Sequence, residues 1–271
     1  MKSKNHKNIF SGAKSLLISG ILSVAAFAVN AIIYVLLSGL AKQELVFFSS
    51  AFVTAATTIY AIITGFTILI AFTRYQNLNN IVNEELACLG DILDFTIYLE
   101  NNNLKIKIAE TLKEYGASIS NDEWVRMLDR KPYPKTSLYL EKTMQLINQI
   151  PVDEGEKNSI IFEAFINRIK DLTTFRANRL KEAGEPFPKL LMITLYTISI
   201  IFVLSIFLLF TLNFIIQSIF VISSVFVATL VIQLINDVGN PYKPGTWHVS
   251  RESYENIQTS IINQARQEIP G

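Results

Sequence analysis

Charged residues are missing from three long stretches of the chain. Residues 15–41, 45–73 and 190–236 contain no Asp, Glu, Lys or Arg, although these four make up 17% of the sequence. A charge in the hydrocarbon of a bilayer is costly, so membrane spans exclude it. A soluble protein would instead carry charge on about a quarter of its residues. This segregation predicts an integral membrane protein.

The lengths of these stretches predict four transmembrane helices. A bilayer core about 30 Å thick takes a helix of roughly 20 apolar residues. Stretches 15–41 and 45–73 are each long enough for one helix. The stretch 190–236 is too long for one and is predicted to form two, joined by a tight turn near Leu212 and Asn213.

The alternative for the first stretch is a cleaved signal peptide. It has a basic start, and Ala26-Phe27-Ala28 could mimic a cleavage site. However, the apolar run continues to Leu40, whereas the apolar region of a signal peptide has about 7–15 residues. The sequence therefore favours a retained membrane anchor.

Basic residues indicate the orientation of the spans. The first 14 residues carry four lysines, Arg74 directly follows the second span and Lys189 directly precedes the third. The loop after the first span has only Lys42, beside Glu44, and the turn near Asn213 has no charge. Because short cytoplasmic segments are rich in Lys and Arg, we expect both termini to lie in the cytoplasm. The expected location of this multi-pass protein is the cell membrane, namely the inner membrane of a bacterium.

The predicted organisation has five segments and an all-α fold. Apolar residues between the second and third spans recur at three- and four-residue intervals, and no strand pattern of useful length appears. The first predicted helix there is 104–115, which Gly116 can cap. Asp122-Glu123-Trp124 opens a short second helix after an N-cap at Ser120 or Asn121, and two further helices are predicted over 137–150 and 154–183. The segments are a basic cytoplasmic N-terminus (1–14), a first transmembrane pair (15–73), a cytoplasmic helical domain (74–187), a second transmembrane pair (188–236) and a cytoplasmic C-terminal tail (237–271).

Motifs of catalysis and cofactor binding are absent from the sequence. There is no Gly-rich phosphate loop, nucleophile elbow or His-Glu-x-x-His motif. The chain has two histidines and the single Cys88, which excludes an internal disulfide and a cysteine-based zinc site. No basic stripe with aromatics suggests nucleic acid. We therefore expect no enzyme, catalytic residue, cofactor, metal site or nucleic-acid partner.

A series of short motifs after the first span resembles the bestrophin-like family of bacterial and plant membrane proteins. In chain order they are Phe72-Thr73-Arg74-Tyr75, Val82-Asn83-Glu84-Glu85-Leu86, Tyr115 with Glu123-Trp124, Arg176-Ala177-Asn178-Arg179-Leu180, Pro186-Phe187-Pro188, Asn236-Asp237, Asn240-Pro241-Tyr242, Gly245 and Val249-Ser250. The family usually shows a compact Leu-Asp-x-Pro-aromatic-x-Gly after the last span. This chain has two or three more residues between Asp237 and Pro241.

The resemblance implies a membrane channel for small inorganic ions. In the well-described relatives five subunits surround one axial pore, which the second span lines and the cytoplasmic domain continues. The implied partners are thus the lipid bilayer, further copies of the chain in a homo-oligomer (a pentamer by resemblance) and small ions.

The second span offers a candidate pore neck. Ile62, Phe66 and Ile70 recur at four-residue spacing and share one helix face. A ring of such residues would form a hydrophobic constriction that can gate by dewetting. In the alternative interpretation the threonines and Gly65 of this span allow close helix packing, and the Ile/Phe stripe faces lipid or a neighbouring helix.

Charged residues around the spans are candidates for the cytoplasmic entrance or for packing of the cytoplasmic domain. Glu84 and Glu85 could form an acidic entrance or simply a solvated helix face. The turn at Asp237 could pack against Arg176 or Arg179, or could only end the last helix. The full set is Arg74, Glu84, Glu85, Arg176, Arg179 and Asp237.

Two functions from different classes remain open. The first is a homo-oligomeric ion channel with the second span as its neck. The second is a non-conducting membrane scaffold or sensor whose cytoplasmic helices bind a protein partner.

Fusions to alkaline phosphatase, which is active only outside the cytoplasm, test the orientation. Because Lys and Arg flank the spans on one side, we expect high activity for a fusion after Asn213 and low activity for fusions after Arg74 or at the C-terminus. The reverse pattern would contradict the predicted topology.

Overall fold

The computed structural model describes residues 5–37, 43–128, 134–208, 213–243 and 245–256. Within these ranges the chain is helical and contains no β-strand. Leu212 of the predicted turn, Lys42, Leu40, the first lysines (Lys2 and Lys4) and the tail from residue 257 onward lie outside the described residues.

Eight α-helices make up most of the described chain. They are α1 (Asn5–Leu37), α2 (Gln43–Phe95), α3 (Asn102–Ser118), α4 (Trp124–Leu128), α5 (Lys135–Ile147), α6 (Glu156–Gly184), α7 (Lys189–Phe207) and α8 (Phe214–Val238). Short 3₁₀ turns cover Thr96–Tyr98 and Val152–Glu154, and a π-helical turn covers Ile119–Glu123.

Four of these helices are long and apolar enough to cross a membrane, namely α1, α2, α7 and α8. The third charge-free stretch forms two helices, since α7 ends at Phe207 and α8 begins at Phe214. The predicted fold class, an all-α integral membrane protein with four transmembrane helices, is confirmed.

Helix α2 continues well beyond its apolar half. Its 53 residues correspond to about 80 Å at 1.5 Å per residue, whereas the hydrocarbon core is about 30 Å thick. The charged half begins at Arg74, and the helix ends at Phe95. Asn101 then caps α3, because its side chain accepts hydrogen bonds from the backbone N–H groups of Asn103 and Leu104.

The chain forms two compact units. The first, here called the membrane unit, comprises Met1–Tyr75 and Pro186–His248; the second, the helical unit, comprises Gln76–Glu185 and Val249–Gly271. The five-segment organisation drawn from the sequence remains a prediction.

The membrane unit has an apolar core on one face of α2. Tyr60 stacks on Phe202 of α7, with ring centroids 4.4 Å apart and an interplanar angle of 6°. A second cluster joins Ala71 to Phe187, Leu195 and Ile235. Burial of these side chains holds α2, α7 and α8 together.

Polar side chains connect α1 to α8. Asn30, fully buried, donates to Ser218 Oγ at 3.1 Å and accepts from Gln217 Nε2 at 3.2 Å. Gln233 Nε2 donates to Ser19 Oγ at 3.2 Å. Such interhelical hydrogen bonds satisfy polar groups that hydrocarbon cannot solvate.

Three helices contribute regular apolar stripes to the core of the helical unit. The buried residues recur at three- and four-residue spacing, as one helix face requires. They are Leu78, Val82, Leu89 and Ile92 on α2; Leu104, Ile108, Leu112 and Tyr115 on α3; and Ile161, Phe165, Ile169 and Leu172 on α6.

The predicted break between the third and fourth helices is wrong. Gly116 was expected as a possible cap, and Ser120 or Asn121 as a new N-cap, but the helix continues through the π-helical turn into α4. Tyr115, Ile119 and Trp124 are buried along this path, so packing of the continuous helix overrides the local preference for a break.

A tight turn follows α8 in the membrane unit. Asp237, in the last turn of the helix, accepts hydrogen bonds at Oδ2 from the backbone N–H groups of Thr246 (2.9 Å) and Trp247 (3.2 Å). Gly245 lies against the carboxylate, where a Cβ would overlap Asp237 Oδ1. Glycine at this position is therefore required for the backbone to approach the carboxylate.

Gly245→Ala should lower the apparent melting temperature of the detergent-purified protein. The methyl group would displace the Asp237 carboxylate and break at least one hydrogen bond to a charged group, a loss of about 1.5–3 kcal/mol. Gly90→Ala is the matched control, because a Cβ there meets nothing within 4 Å. Equal melting temperatures for the two variants would show that the turn does not depend on this contact.

Candidate functional site

The apolar half of α2 has one buried and one exposed face. Ala56, Tyr60, Thr64, Thr67 and Ala71 are buried. The predicted neck residues lie on the other side of the helix. In the single subunit Ile62 is 54% exposed, Phe66 64% and Ile70 41%.

The threonines of this span are divided between the two faces. Thr64 and Thr67 belong to the buried face, and Thr67 Oγ1 donates to the carbonyl of Ile63 at 2.7 Å. Thr54 and Thr58 are exposed, but their hydroxyls also donate to carbonyls one turn earlier in the helix. The hydroxyls are thus largely used within α2, and the stripe of Ile62, Phe66 and Ile70 is apolar.

A buried ion cluster lies within the helical unit. Glu85 of α2 and Arg179 of α6 are both fully buried and form a bidentate pair. Arg179 Nε donates to Glu85 Oε2 at 2.6 Å and its Nη2 donates to Glu85 Oε1 at 3.2 Å. The phenols of Tyr115 and Tyr254 donate to the same carboxylate, each at 2.8 Å. Glu85 therefore accepts four hydrogen bonds.

A second carboxylate completes the cluster. Glu123, also fully buried, accepts from Arg179 Nη2 and from Arg176 Nη2, both at 2.6 Å. Arg176 Nη1 donates to Ser137 Oγ at 2.9 Å. Two carboxylates and two guanidiniums thus compensate each other with little exposure to water, since only the Arg176 side chain is partly exposed, at 10%. Such mutual compensation is the condition under which buried charges are tolerated.

Aromatic rings cover the central guanidinium. The Arg179 Cζ atom lies 6.0 Å from the Trp124 ring centroid and 5.7 Å from that of Tyr254. A guanidinium within about 6 Å of an aromatic face gains further electrostatic stabilisation.

Helical spacing places these charges in the core. Leu78, Val82, Glu85, Leu89 and Ile92 form one buried stripe of α2, in which Glu85 takes a position otherwise filled by aliphatic side chains. Arg176 and Arg179 continue the stripe of α6 after Leu172 in the same way. The π-helical turn carries Glu123 to the same core, four residues after Ile119.

The environment of the cluster favours the ionised forms of Glu123 and Arg179. Burial by itself would raise the pKa of Glu123, but Arg179 and Arg176 hold it below its usual value. Burial by itself would lower the pKa of Arg179, but the neighbouring groups, the Glu85 carboxylate foremost, raise it well above its usual value. Burial also raises the pKa of the Tyr115 and Tyr254 phenols, with a further contribution from the charge of Glu85, so both remain hydrogen-bond donors.

The low pKa of Glu123 couples stability to pH. The carboxylate's contribution is complete above the unfolded-state pKa of about 4.3 and is lost as the pH falls through the lowered folded-state value.

Comparison with known proteins places this architecture in a family. The model of the Bestrophin-like domain matches residues 20–254. The chain belongs to the Bestrophin-like family. No curated protein sequence matches it.

Solved structures of bestrophin homologues have the same fold. A mutant of a bacterial Bestrophin homolog from Klebsiella pneumoniae is 14% identical with a TM-score of 0.72, and the match covers 91% of this chain and 99% of that one. A second crystal structure of the Klebsiella homolog is 15% identical with a TM-score of 0.70, covering 95% and 99%. A variant described as a membrane protein is 15% identical with a TM-score of 0.73, covering 94% and 99%.

The sequence-derived candidates in this Bestrophin-like chain lie in different surroundings. Glu85, Arg176 and Arg179 meet in the ion cluster, whereas Glu84 is exposed and Arg74 is half-buried. Asp237 holds the turn after α8. The assignment of these residues to a cytoplasmic entrance, and the pairing of the Asp237 turn with an arginine, remain predictions.

Several members of the cluster escaped sequence reasoning. Tyr254 donates to Glu85 across 169 residues of chain, and Ser137 and Met127 contact the arginines. Glu85, Arg176 and Arg179 could have been recognised as core residues from their positions in the apolar stripes. Tyr254 has no comparable pattern around it.

Arg179→Met should strongly destabilise the protein. It would leave Glu85 and Glu123 buried with only part of their compensation, which costs about 3–5 kcal/mol. The measurement is the apparent melting temperature in detergent.

Arg168→Met is the matched control. Arg168 also pairs with two acids, Asp91 at 2.9 Å and Asp171 at 3.3 Å, but it is 42% exposed, and such pairs contribute about 0–1 kcal/mol. If the two variants have the same apparent melting temperature, the buried cluster is not a main source of stability.

Proposed function

We propose that the protein is a homo-oligomeric ion channel of bestrophin type, with an axial pore lined by α2. The characterised members of the family are ion channels. The observation that carries the proposal for this chain is the uncovered apolar stripe of Ile62, Phe66 and Ile70 on a membrane-spanning helix whose opposite face is buried. By resemblance the ring has five subunits. The distribution of Lys and Arg around the spans supports a topology with both termini in the cytoplasm.

The stripe has the properties of a hydrophobic neck. A ring of isoleucine and phenylalanine side chains from several subunits offers no partner to water or to an ion, so a narrow ring dewets and blocks conduction. The apolar half of α2 contains no charge that would lower this barrier.

Glu84 is the acidic residue of α2 that best fits an entrance to such a pore. It follows Phe66 by 18 residues, about five turns of an α-helix, and therefore falls on the same face. Its side chain is exposed. Glu85 is enclosed in the ion cluster and is not available to a permeating ion.

The scaffold hypothesis rests on a different observation. Several large apolar side chains of the helical unit are exposed in the single subunit, and they could contact a protein partner or another subunit. They include Ile97, Tyr98, Ile106, Leu138 and Ile160.

Replacement of the central neck residue tests the channel. Phe66→Ala should raise ion flux from liposomes about tenfold, the effect of lowering the barrier by about 1.4 kcal/mol, because a smaller side chain widens and wets the neck. Phe220→Ala is the matched control, since Phe220 is a 50% exposed phenylalanine of another span, α8.

The mass of the detergent-purified protein is measured on the same samples. A closed ring whose flux rises for Phe66→Ala alone would support the proposal. Equal effects of the two variants would place Phe66 outside the neck. A monomer that passes no ions would exclude the axial pore and favour the scaffold.

A further inference from the structure

A small apolar cavity lies in the membrane unit between α2, α8 and the turn after α8. Its volume is about 200 Å³. Ile68, Ala71 and Phe72 of α2, Leu234 and Ile235 of α8, and Trp247 of the turn line it. All of these side chains are apolar apart from the indole N–H.

The indole of Trp247 forms a fixed wall of this cavity. Its ring centroid lies 5.9 Å from that of Phe72 and 5.7 Å from that of Tyr75, with interplanar angles of 80° and 90°. Its backbone N–H donates to Asp237 Oδ2 at 3.2 Å. The side chain is nevertheless 39% exposed, as are Leu234 at 39% and Phe72 at 36%, so the cavity is accessible from outside.

The surroundings restrict the possible occupant. Because α2 and α8 are membrane spans, the cavity opens near the level at which hydrocarbon meets water, where tryptophan is enriched. An apolar cavity does not retain water, and one of about 150 Å³ takes benzene. A cavity of this size therefore suits a segment of an alkyl chain.

The charges at this end of the spans favour an anionic headgroup. Lys189 begins α7, and Lys243 lies in the turn between α8 and Trp247; both are exposed. The acidic residue of this turn, Asp237, already accepts two backbone hydrogen bonds. Basic side chains near a membrane surface each add about 1 kcal/mol of attraction for anionic lipid.

We propose that this cavity binds one acyl chain of an anionic phospholipid, with the headgroup beside Lys243. The site requires no conduction by the protein, so its test is independent of the proposed channel.

Quenching of tryptophan fluorescence by brominated lipids tests the site. The chain has two tryptophans, and Trp124 lies buried in the helical unit. Subtracting the quenching of Trp247→Phe, which retains only Trp124, isolates the signal of Trp247. The protein is reconstituted in phosphatidylcholine vesicles that contain either brominated phosphatidylglycerol or brominated phosphatidylcholine at matched mole fractions.

We expect the brominated anionic lipid to reach half-maximal quenching at a mole fraction about fivefold lower for each basic side chain that contributes. Lys243→Gln should raise the mole fraction of anionic lipid needed for half-maximal quenching about fivefold. Leu234→Phe should reduce quenching by filling the cavity. Ile193→Phe, which enlarges another aliphatic side chain at a 60% exposed position of α7 outside the lining, should not.

Two results would overturn the proposal. Equal quenching by both lipids, unaffected by Leu234→Phe, would indicate ordinary contact with surrounding lipid. A preference for the anionic lipid that survives Leu234→Phe unchanged would indicate binding of the headgroup alone, without an acyl chain in the cavity. Size-exclusion profiles matching the wild type establish that the variants are folded.

Discussion

The free-energy cost of removing a charge from water determines the arrangement of both units. In the membrane unit this cost excludes charge from the apolar half of α2 and from α7 and α8 between Lys189 and Asp237. In the helical unit four charges are nevertheless buried, and they are tolerated because each guanidinium meets a carboxylate at 2.6 Å. A change to one member leaves the others uncompensated, so the helices that carry them (α2, α6 and the π-helical turn) must keep their register.

The cluster also connects distant parts of the helical unit. Glu85 is on α2, Arg179 on α6, Glu123 on the π-helical turn, and Tyr254 near the end of the described chain. A hydrophobic core would accept small shifts between such elements, because apolar contacts are not directional. The four hydrogen bonds to Glu85 require defined distances and angles. We therefore expect the cluster to specify the arrangement of the unit.

The sequence predicted much of the fold because its strongest signals are local. Charge exclusion located the four spans, and three- and four-residue periodicity located the helices of the helical unit. Gly116 and the Ser120-Asn121 pair indicated a break that does not occur, since tertiary packing of Ile119 and Trp124 favours a continuous helix. In the candidate site, spacing alone put Ile62, Phe66 and Ile70 on one face. That this face is exposed in the single subunit follows from the packing of the opposite face against α7, for example of Tyr60 on Phe202. No local sequence pattern reveals which face of α2 packs against α7.

The burial of Glu85 reduces the number of acidic side chains of α2 that an ion could contact if this helix lines a pore. Glu84 and Glu85 are adjacent in sequence, but adjacent residues of a helix point about 100° apart, so one can enter the core while the other remains in solvent. Glu85 is neutralised by Arg179, and Asp91 is paired with Arg168 at 2.9 Å. Glu84 and Asp94 are the acidic residues of the charged half of α2 that remain exposed, so an acidic ring would depend on these two. Ion selection in the proposed channel would thus combine a ring of charge with the width of the neck at Phe66.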